Sequence, residues 1–291
     1  MSVFLTGFAD EAADCIQGQI AAVQALGWNC LEARNVNGKN LHDLDEVVFA
    51  DVVKALEDAE IRVNALGSNI ANWSKSIEDP PDSSLEEVRR AIPRMLRLGI
   101  RQVRVMSYAI LAQRAADDQM EDERVARLQI VCDLFRAEGL EPLHENCMNY
   151  GGLSWQHTLR LIERVPGLRL IFDTANPGLE LPHSPRQSSW EFYQHIRPHI
   201  AHIHIKDMVW DDEKKKIRYL FPGEGDRDIK RILADLKASD YKGGISIEPH
   251  MQVVLHDSSV TAREDARLEN FLEYGRRMEQ LVREAGLEIC S

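Results

Sequence analysis

A chain of 291 residues, 44% hydrophobic and 28% charged, has the composition of a globular protein that can bury a core without disulfides. Its 35 Lys and Arg against 47 Asp and Glu leave a net charge of −12, which disfavours nucleic acid and anionic membrane as partners and suits a small neutral ligand or a cation held by carboxylates. Cys15, Cys30, Cys132, Cys147 and Cys290 are odd in number and form no CxxC, which excludes a disulfide framework or a zinc ribbon in favour of reduced thiols.

The apolar opening at residues 1–7 lacks a basic flank and is too short for a signal sequence or a membrane span, so a cytoplasmic protein is expected. From there, short apolar runs alternate with longer amphipathic segments. Val3 to Phe8 precedes a helix over about Glu11 to Leu26, and Asn29 to Arg34 precedes one over about Leu44 to Ala59. Ile61 to Leu66 leads through a long loop to a helix over about Ser84 to Leu98, and Ile100 to Met106 to one over about Asp122 to Ala137. Leu140 to Glu145 and Leu168 to Asp173 precede helices over about Ser154 to Glu163 and Ser189 to Ile196. The seventh run, His199 to Asp207, is followed by a helix over about Asp226 to Ala238 with Asp226 as its cap. The eighth, Gly243 to Glu248, precedes a terminal helix over about Ala262 to Ala285. Gly27, Gly99, Gly139 and Gly286 stand at helix stops.

Eight strand–helix units of about 36 residues imply a parallel sheet with right-handed crossovers, close to the typical (β/α)8 length of about 250 residues. An open doubly wound sheet would need a Gly-rich phosphate loop after the first strand, and Gly7-Phe8-Ala9-Asp10-Glu11 is not one. With no linker, repeat or low-complexity tract, one TIM-barrel domain over residues 1–291 is the α/β fold expected. Gly67 to Ser83 and Met208 to Gly225 read as structureless loops over the active face.

Active sites of such barrels lie at the carboxyl ends of the strands. The seventh run, Ala201-His202-Ile203-His204-Ile205-Lys206-Asp207, puts His202, His204 and Lys206 on one face and Ile203 and Ile205 on the other. Runs five, six and eight end in Glu145, Asp173 and Glu248, with Ser246 and Glu248 inward and Ile245 and Ile247 outward. Four successive strands thus deliver Glu145, Asp173, His204 and Glu248 at one level. Three carboxylates sharing a pocket raise one another's pKa unless a cation joins them. Three carboxylate oxygens and an imidazole suit one divalent ion, Mn²⁺ or Mg²⁺ first, with Co²⁺ or Zn²⁺ as alternatives. His202, one pleat deeper, is expected to be a hydrogen-bonded support.

The segments Leu31-Glu32-Ala33-Arg34, His144-Glu145-Asn146, Phe172-Asp173-Thr174-Ala175-Asn176, His202 to Asp207, Gly223-Glu224-Gly225 and Ile245-Ser246-Ile247-Glu248-Pro249 resemble, in this order, the xylose-isomerase-like TIM barrels, a superfamily of sugar isomerases, epimerases and inosose dehydratases. The resemblance spans essentially the whole chain. It implies that Glu145, Asp173, His204 and Glu248 bind one metal and that Glu145 and Glu248 double as acid and base. Removing a proton beside a carbonyl needs such a base, and a chelating metal would stabilise the resulting enediolate. Return of the proton gives epimerisation or isomerisation, whereas loss of a β-hydroxyl makes the same site a lyase, including elimination from 3-keto-glycosides.

The sequence departs from the ketose 3-epimerases of the superfamily at two places. Asn176 stands where they carry a histidine, and Met208-Val209-Trp210 where they place an arginine. The Lys206-Asp207 pair is closer to the inosose dehydratase branch. Lys206 either holds a substrate oxygen or pairs with a local carboxylate. Asn146 and Asn176 bind substrate hydroxyls or shape loops, His250 reaches substrate or is a loop histidine, and Trp73 and Trp210 stack on a sugar or pack a lid. Arg218 and Glu224 read as surface charge, and Glu32, Arg34 and Arg104 as mutual ion pairs. An endonuclease-four-type phosphodiesterase would need more histidines and a basic face. The partner expected is a small carbohydrate, and exposed helices are compatible with a homo-oligomer.

Overall fold

Each of the eight apolar runs forms a strand and each amphipathic segment a helix in the computed structural model, which describes residues 2–251 and 264–290. In chain order these are β1 (Ser2–Gly7), α1 (Ile16–Ala25), β2 (Cys30–Ala33), β3 (Asn35–Val36), β4 (Lys39–Asn40), α2 (Glu46–Asp58) and β5 (Arg62–Leu66). Next come α3 (Asp82–Leu98), β6 (Gln102–Val105), α4 (Glu121–Ala137), β7 (Glu141–Glu145), α5 (Trp155–Arg164), β8 (Arg169–Asp173) and α6 (Ser189–Ile196). The chain ends with β9 (Ile200–Ile205), β10 (Asp207–Asp211), β11 (Lys216–Leu220), α7 (Ile229–Ala238), β12 (Gly244–Ile247), α8 (Glu264–Glu284) and β13 (Glu288–Ile289). This alternation is the (β/α)8 plan.

The chain divides into two compact units, one of Met1–Lys39, Leu44–Asn64 and His202–Ser291 and the other of Asn40–Asp43 and Ala65–Ala201. In the first, parallel strands run in the order β13-β1-β12-β9. Phe4 and Thr6 lie opposite Gly244 and Ser246, which in turn lie opposite His202 and His204. A parallel bridge from Phe8 to Glu32 joins β2 to the chain just past β1. Alternation along each strand separates an apolar row, Ile203, Ile205, Ile245 and Ile247, from a polar row of His202, His204 and Ser246, and both are buried. Burying polar side chains on a strand is costly unless they are paired, so that row marks a site rather than core.

In the second unit the order is β5-β6-β7-β8, again parallel, with Gln102 opposite Glu141 and Glu145 opposite Ile171. Helix α4 packs on β7 and α3, and α5 packs on α6. Ser154 and Ser188 cap α5 and α6 by accepting the amides of His157 and Glu191, and α3 stops at Gly99, whose φ of 67° a side chain would strain.

Three local expectations are corrected. The stretch after β9 is not structureless, because β10 and β11 pair as an antiparallel hairpin from Asp207↔Leu220 to Asp211↔Lys216. The residue at the N-terminal boundary of α7 is not Asp226 but Asp228, which takes a left-handed φ of 56° and makes no side-chain capping hydrogen bond. The first helix begins at Ile16, after a separate 3-10 turn at Ala9–Glu11. The expected start of the last helix at Ala262 lies outside the described residues. Among the described residues no helix is long and apolar enough to cross a membrane.

One buried histidine of the second unit makes acid stability a direct test of its packing. His42 is 0% exposed and neither ring nitrogen makes a hydrogen bond; Nε2 stands 3.4 Å from Asp43. Burial, helped by Arg90, Lys75 and Arg94 and opposed by Asp43, pushes its pKa down to about 4. The folded pKa is therefore below the unfolded one of about 6.5, so this contribution is intact above pH ~6.5 and lost as the pH falls toward 4. Urea unfolding of His42→Leu is expected to show a shallower decline between pH 6.5 and 4 than the parent, by up to ~1.4 kcal/mol per pH unit. Parallel pH profiles would show that His42 is already protonated in the folded protein.

Candidate active site

Within the first unit, the polar row of β9 closes on a carboxylate from β2. Glu32 accepts a hydrogen bond from Nε2 of His202 at 2.9 Å and from Nε2 of His204 at 3.0 Å. All three side chains are 0% exposed. Burial opposes a charge on Glu32, but His204 and His202 outweigh it and hold the carboxyl well below its usual range. Glu32 thus pairs with the histidines, not with Arg34 or Arg104 as its place on β2 suggested. Residues 32 and 202 are 170 positions apart, which is why the pairing is not written locally.

Glu248 lies one residue past β12, its amide donating to Ile205 O at 3.0 Å. Around its side chain, Arg34 Nη1 donates to Oε1 at 2.8 Å, Lys206 Nζ to Oε2 at 3.3 Å, and His250 Nε2 stands 3.1 Å from Oε1. His204 turns Nδ1 toward Oε2 at 3.9 Å. Burial works against a charge here too, and Lys206, His250 and Arg34 override it, keeping Glu248 well below the ordinary carboxylate range. Arg34 is the hub. It also binds Asp10 through Nε at 2.9 Å and Glu11 at 3.2 Å, with its guanidinium 4.1 Å over the Phe8 ring. Burial pushes Glu11 up to about 8 against the pull of Arg34, with Glu248 adding to the rise, and pushes His250 down to about 3. Asp10 and Glu11 were missed in the sequence; their place directly after β1, at a strand's carboxyl end, is the signal that finds them.

Asp207, next to Lys206, ties down the turn after the hairpin. Its Oδ2 accepts the amides of Gly223 at 2.8 Å and Gly225 at 2.9 Å. A Cβ on Gly225 would fall 2.1 Å from Asp207 Oδ1, so only glycine fits there. This explains the Gly223-Glu224-Gly225 motif. Glu224 and Arg218 are exposed, as expected, and Trp210 is half-buried on β10 opposite Ile217.

In the second unit, β7 ends in Glu145 and β8 in Asp173, both at most 1% exposed. Arg104 Nη1 donates to Glu145 Oε2 at 3.2 Å. Asp173 Oδ1 caps the following turn by accepting the amides of Ala175 and Asn176, each at 2.8 Å. Asn146 locks the two strand ends together: its Oδ1 accepts the Asp173 amide at 2.7 Å and its Nδ2 donates to Asp173 O at 3.1 Å. Asn176 is buried with an Nδ2 that makes no hydrogen bond, and Trp73 is half-buried. His144, one residue before Glu145, is pushed down to about 4 by burial and meets Ser107 Oγ at 3.0 Å.

The residues 20–274 match the family model described as the xylose isomerase-like TIM barrel. The chain belongs to this family. No curated protein matches it in sequence. Among solved structures it is similar to a xylose isomerase-like TIM barrel protein from Mycobacterium smegmatis in complex with magnesium, at 17% identity and TM-score 0.69, with 98% of this chain and 97% of that one covered. It is similar to the D-allulose 3-epimerase of Methylomonas sp. in complex with D-allulose, at 16% identity and TM-score 0.67, over 95% and 97%. It is also similar to AsbF of Bacillus anthracis, a probable 3-DHS dehydratase, at 14% identity and TM-score 0.67, over 93% and 97%. Neighbours of this xylose isomerase-like barrel thus include an epimerase and a dehydratase, and its own interior carries buried clusters of acidic and histidine side chains that could hold a metal ion.

Proposed function

We propose that this family member is a divalent-metal-dependent isomerase or epimerase of a sugar or keto-sugar, working by proton abstraction next to a carbonyl. The observation that carries the reading is Glu248, a buried carboxylate kept ionised by Arg34, Lys206 and His250 beside His204. Such a group carries no proton at neutral pH and can accept one, its low basicity being offset where a bound ion acidifies the substrate's C–H.

Glu145, Asp173, His204 and Glu248 are the ligands we assign. Their donor set of three carboxylates and one imidazole fits a hard ion such as Mn²⁺ or Mg²⁺, with Co²⁺ and Zn²⁺ as alternatives. The bonding in each unit agrees with that fit. His204 commits Nε2 to Glu32 and turns Nδ1 toward Glu248, while Asp173 commits Oδ1 to its turn, which makes Oδ2 its ligand atom. When bound, the ion supplies Lewis-acid polarisation of the substrate's oxygens. Glu248 takes the proton from the carbon beside the carbonyl, and Glu145, oriented by Arg104, holds the second proton of the exchange. We assign substrate contacts to Lys206, Asn146, Asn176, His250, Trp73 and Trp210. Asn146 contacts substrate from a side chain bonded to Asp173 at both ends, so it also sets the position of Asp173.

A second reading, a lyase of the dehydratase kind, is favoured by Lys206. An ammonium 3.3 Å from the base is placed to hold or protonate a departing oxygen. Incubation with Mn²⁺ and a panel of ketoses and keto-glycosides in deuterated water tests both. Deuterium beside the carbonyl with the carbon skeleton intact is the isomerase result, and loss of water or aglycone is the lyase result. Absence of exchange and elimination across the panel overturns both.

A further inference from the structure

The Glu32 carboxylate is met by two buried ring nitrogens. Nε2 of His202 reaches Oε2 at 2.9 Å, and Nε2 of His204 reaches Oε1 at 3.0 Å and Oε2 at 3.2 Å. Neither ring is at liberty to turn. His204 is met edge-on by Phe8 at 5.0 Å and by His202 at 5.3 Å. His202 is stacked on Phe4 at 6.4 Å, and a Cβ on Gly244 would lie 2.6 Å from its Nδ1. That Nδ1 makes no hydrogen bond, so the ring is held from its Nε2 side alone.

We propose that Glu32 is a positioning residue that fixes the tautomer of His204, locking the proton on Nε2 and leaving Nδ1 as the nitrogen with a lone pair facing Glu248. A carboxylate accepts and cannot donate, so both rings must present N–H to it. A histidine's ligating nitrogen is chosen by the bond its other nitrogen makes, and such supporting partners are typically worth roughly 10–100-fold in metal affinity. His202 belongs to the same device. By taking Oε2 it keeps the carboxylate from rotating away from His204, which gives the deeper histidine of the Ile200–Ile205 strand its reason to be there. The assignment rests on the reading of His204 as a ligand, yet the tautomer can be read without any metal.

The test uses the full-length, metal-free protein labelled with ¹⁵N-histidine. Long-range ¹H–¹⁵N correlation spectra at pH 8 are compared with those of His204→Gln to assign its ring. His204 is expected as the neutral Nε2–H form. A proton on Nδ1, alone or as imidazolium, overturns the proposal whether or not the protein binds metal. In Glu32→Gln an NH₂ donor replaces one of the two acceptor oxygens, so the paired histidines keep a single acceptor atom and one ring nitrogen faces a donor instead. The expected results are a mixed or Nδ1–H His204 and Mn²⁺ affinity lower by ~10–100-fold, with Glu32→Asp closer to the parent on both measures. An unchanged tautomer together with unchanged Mn²⁺ affinity in Glu32→Gln also overturns it. If the parent binds no Mn²⁺, the ligand reading fails, and the tautomer in the parent still decides the role of Glu32.

Discussion

Glu248→Gln is expected to lower the rate of solvent-proton exchange into the substrate by roughly 10²–10⁴-fold, the usual worth of a positioned acid–base group. Three cations or histidines converge on this one carboxylate, at 2.8, 3.3 and 3.1 Å. A structural ion pair needs one partner, whereas this arrangement holds both oxygens in fixed directions and keeps the charge on. The amide retains the volume and the acceptor toward Arg34, so the fold should survive. It loses the basic oxygen and turns an NH₂ toward Lys206. The readout is deuterium incorporation by the parent's own substrate at saturating Mn²⁺. A fall in the turnover rate with little change in KM separates loss of the base from loss of binding. Exchange by Glu248→Gln at the parent rate would remove the residue from the chemistry.

The legibility of this molecule in its sequence divides along a physical line. Runs such as Leu168 to Asp173 and Ser189 to Ile196 are bounded by their own neighbours, so strand and helix appear where periodicity and caps place them. The strand-end carboxylates Glu145, Asp173 and Glu248 were readable for the same reason, since period-two alternation sets which side chains share a face. What alternation cannot say is who meets whom across the sheet. Glu32 on β2 reads locally as one half of a Glu–Arg pair, yet its partners come from β9, and Arg34 reaches Glu248, 214 residues on. The hairpin of β10 and β11 was hidden by its tip, Asp212 to Lys215, which carries no glycine or proline to announce a turn. Asp226 looks like a cap because it precedes the helical period. The helix boundary falls at Asp228 instead, at a backbone angle that no side-chain pattern reports and with no side-chain cap.

Arg34→Met is expected to cost ~3–5 kcal/mol of stability, the usual penalty for stripping one partner from a buried charge cluster. The side chain is 5% exposed, and its guanidinium serves Asp10, Glu11 and Glu248 together. Methionine fills most of the space and keeps contact with the Phe8 ring, so the deficit measures carboxylates left without their counter-charge rather than a cavity. For a chain of 291 residues that deficit corresponds to a melting point lower by about 5–8 °C. Arg34→Lys should fall between the two, because an ammonium restores charge without the planar fork that binds three carboxylates at once. The pH dependence gives the sign. Without Arg34 the folded-state pKa of Glu248 rises from its depressed position, so protonation relieves the variant more than the parent and its deficit should shrink as the pH falls from 7 to 5. Thermal melts of both proteins with a chelator present, across that range, provide the comparison. A deficit that stays constant with pH would assign the loss to packing against Phe8, and Arg34 would then be a core residue with a charged end rather than the hub that keeps Glu248 ionised.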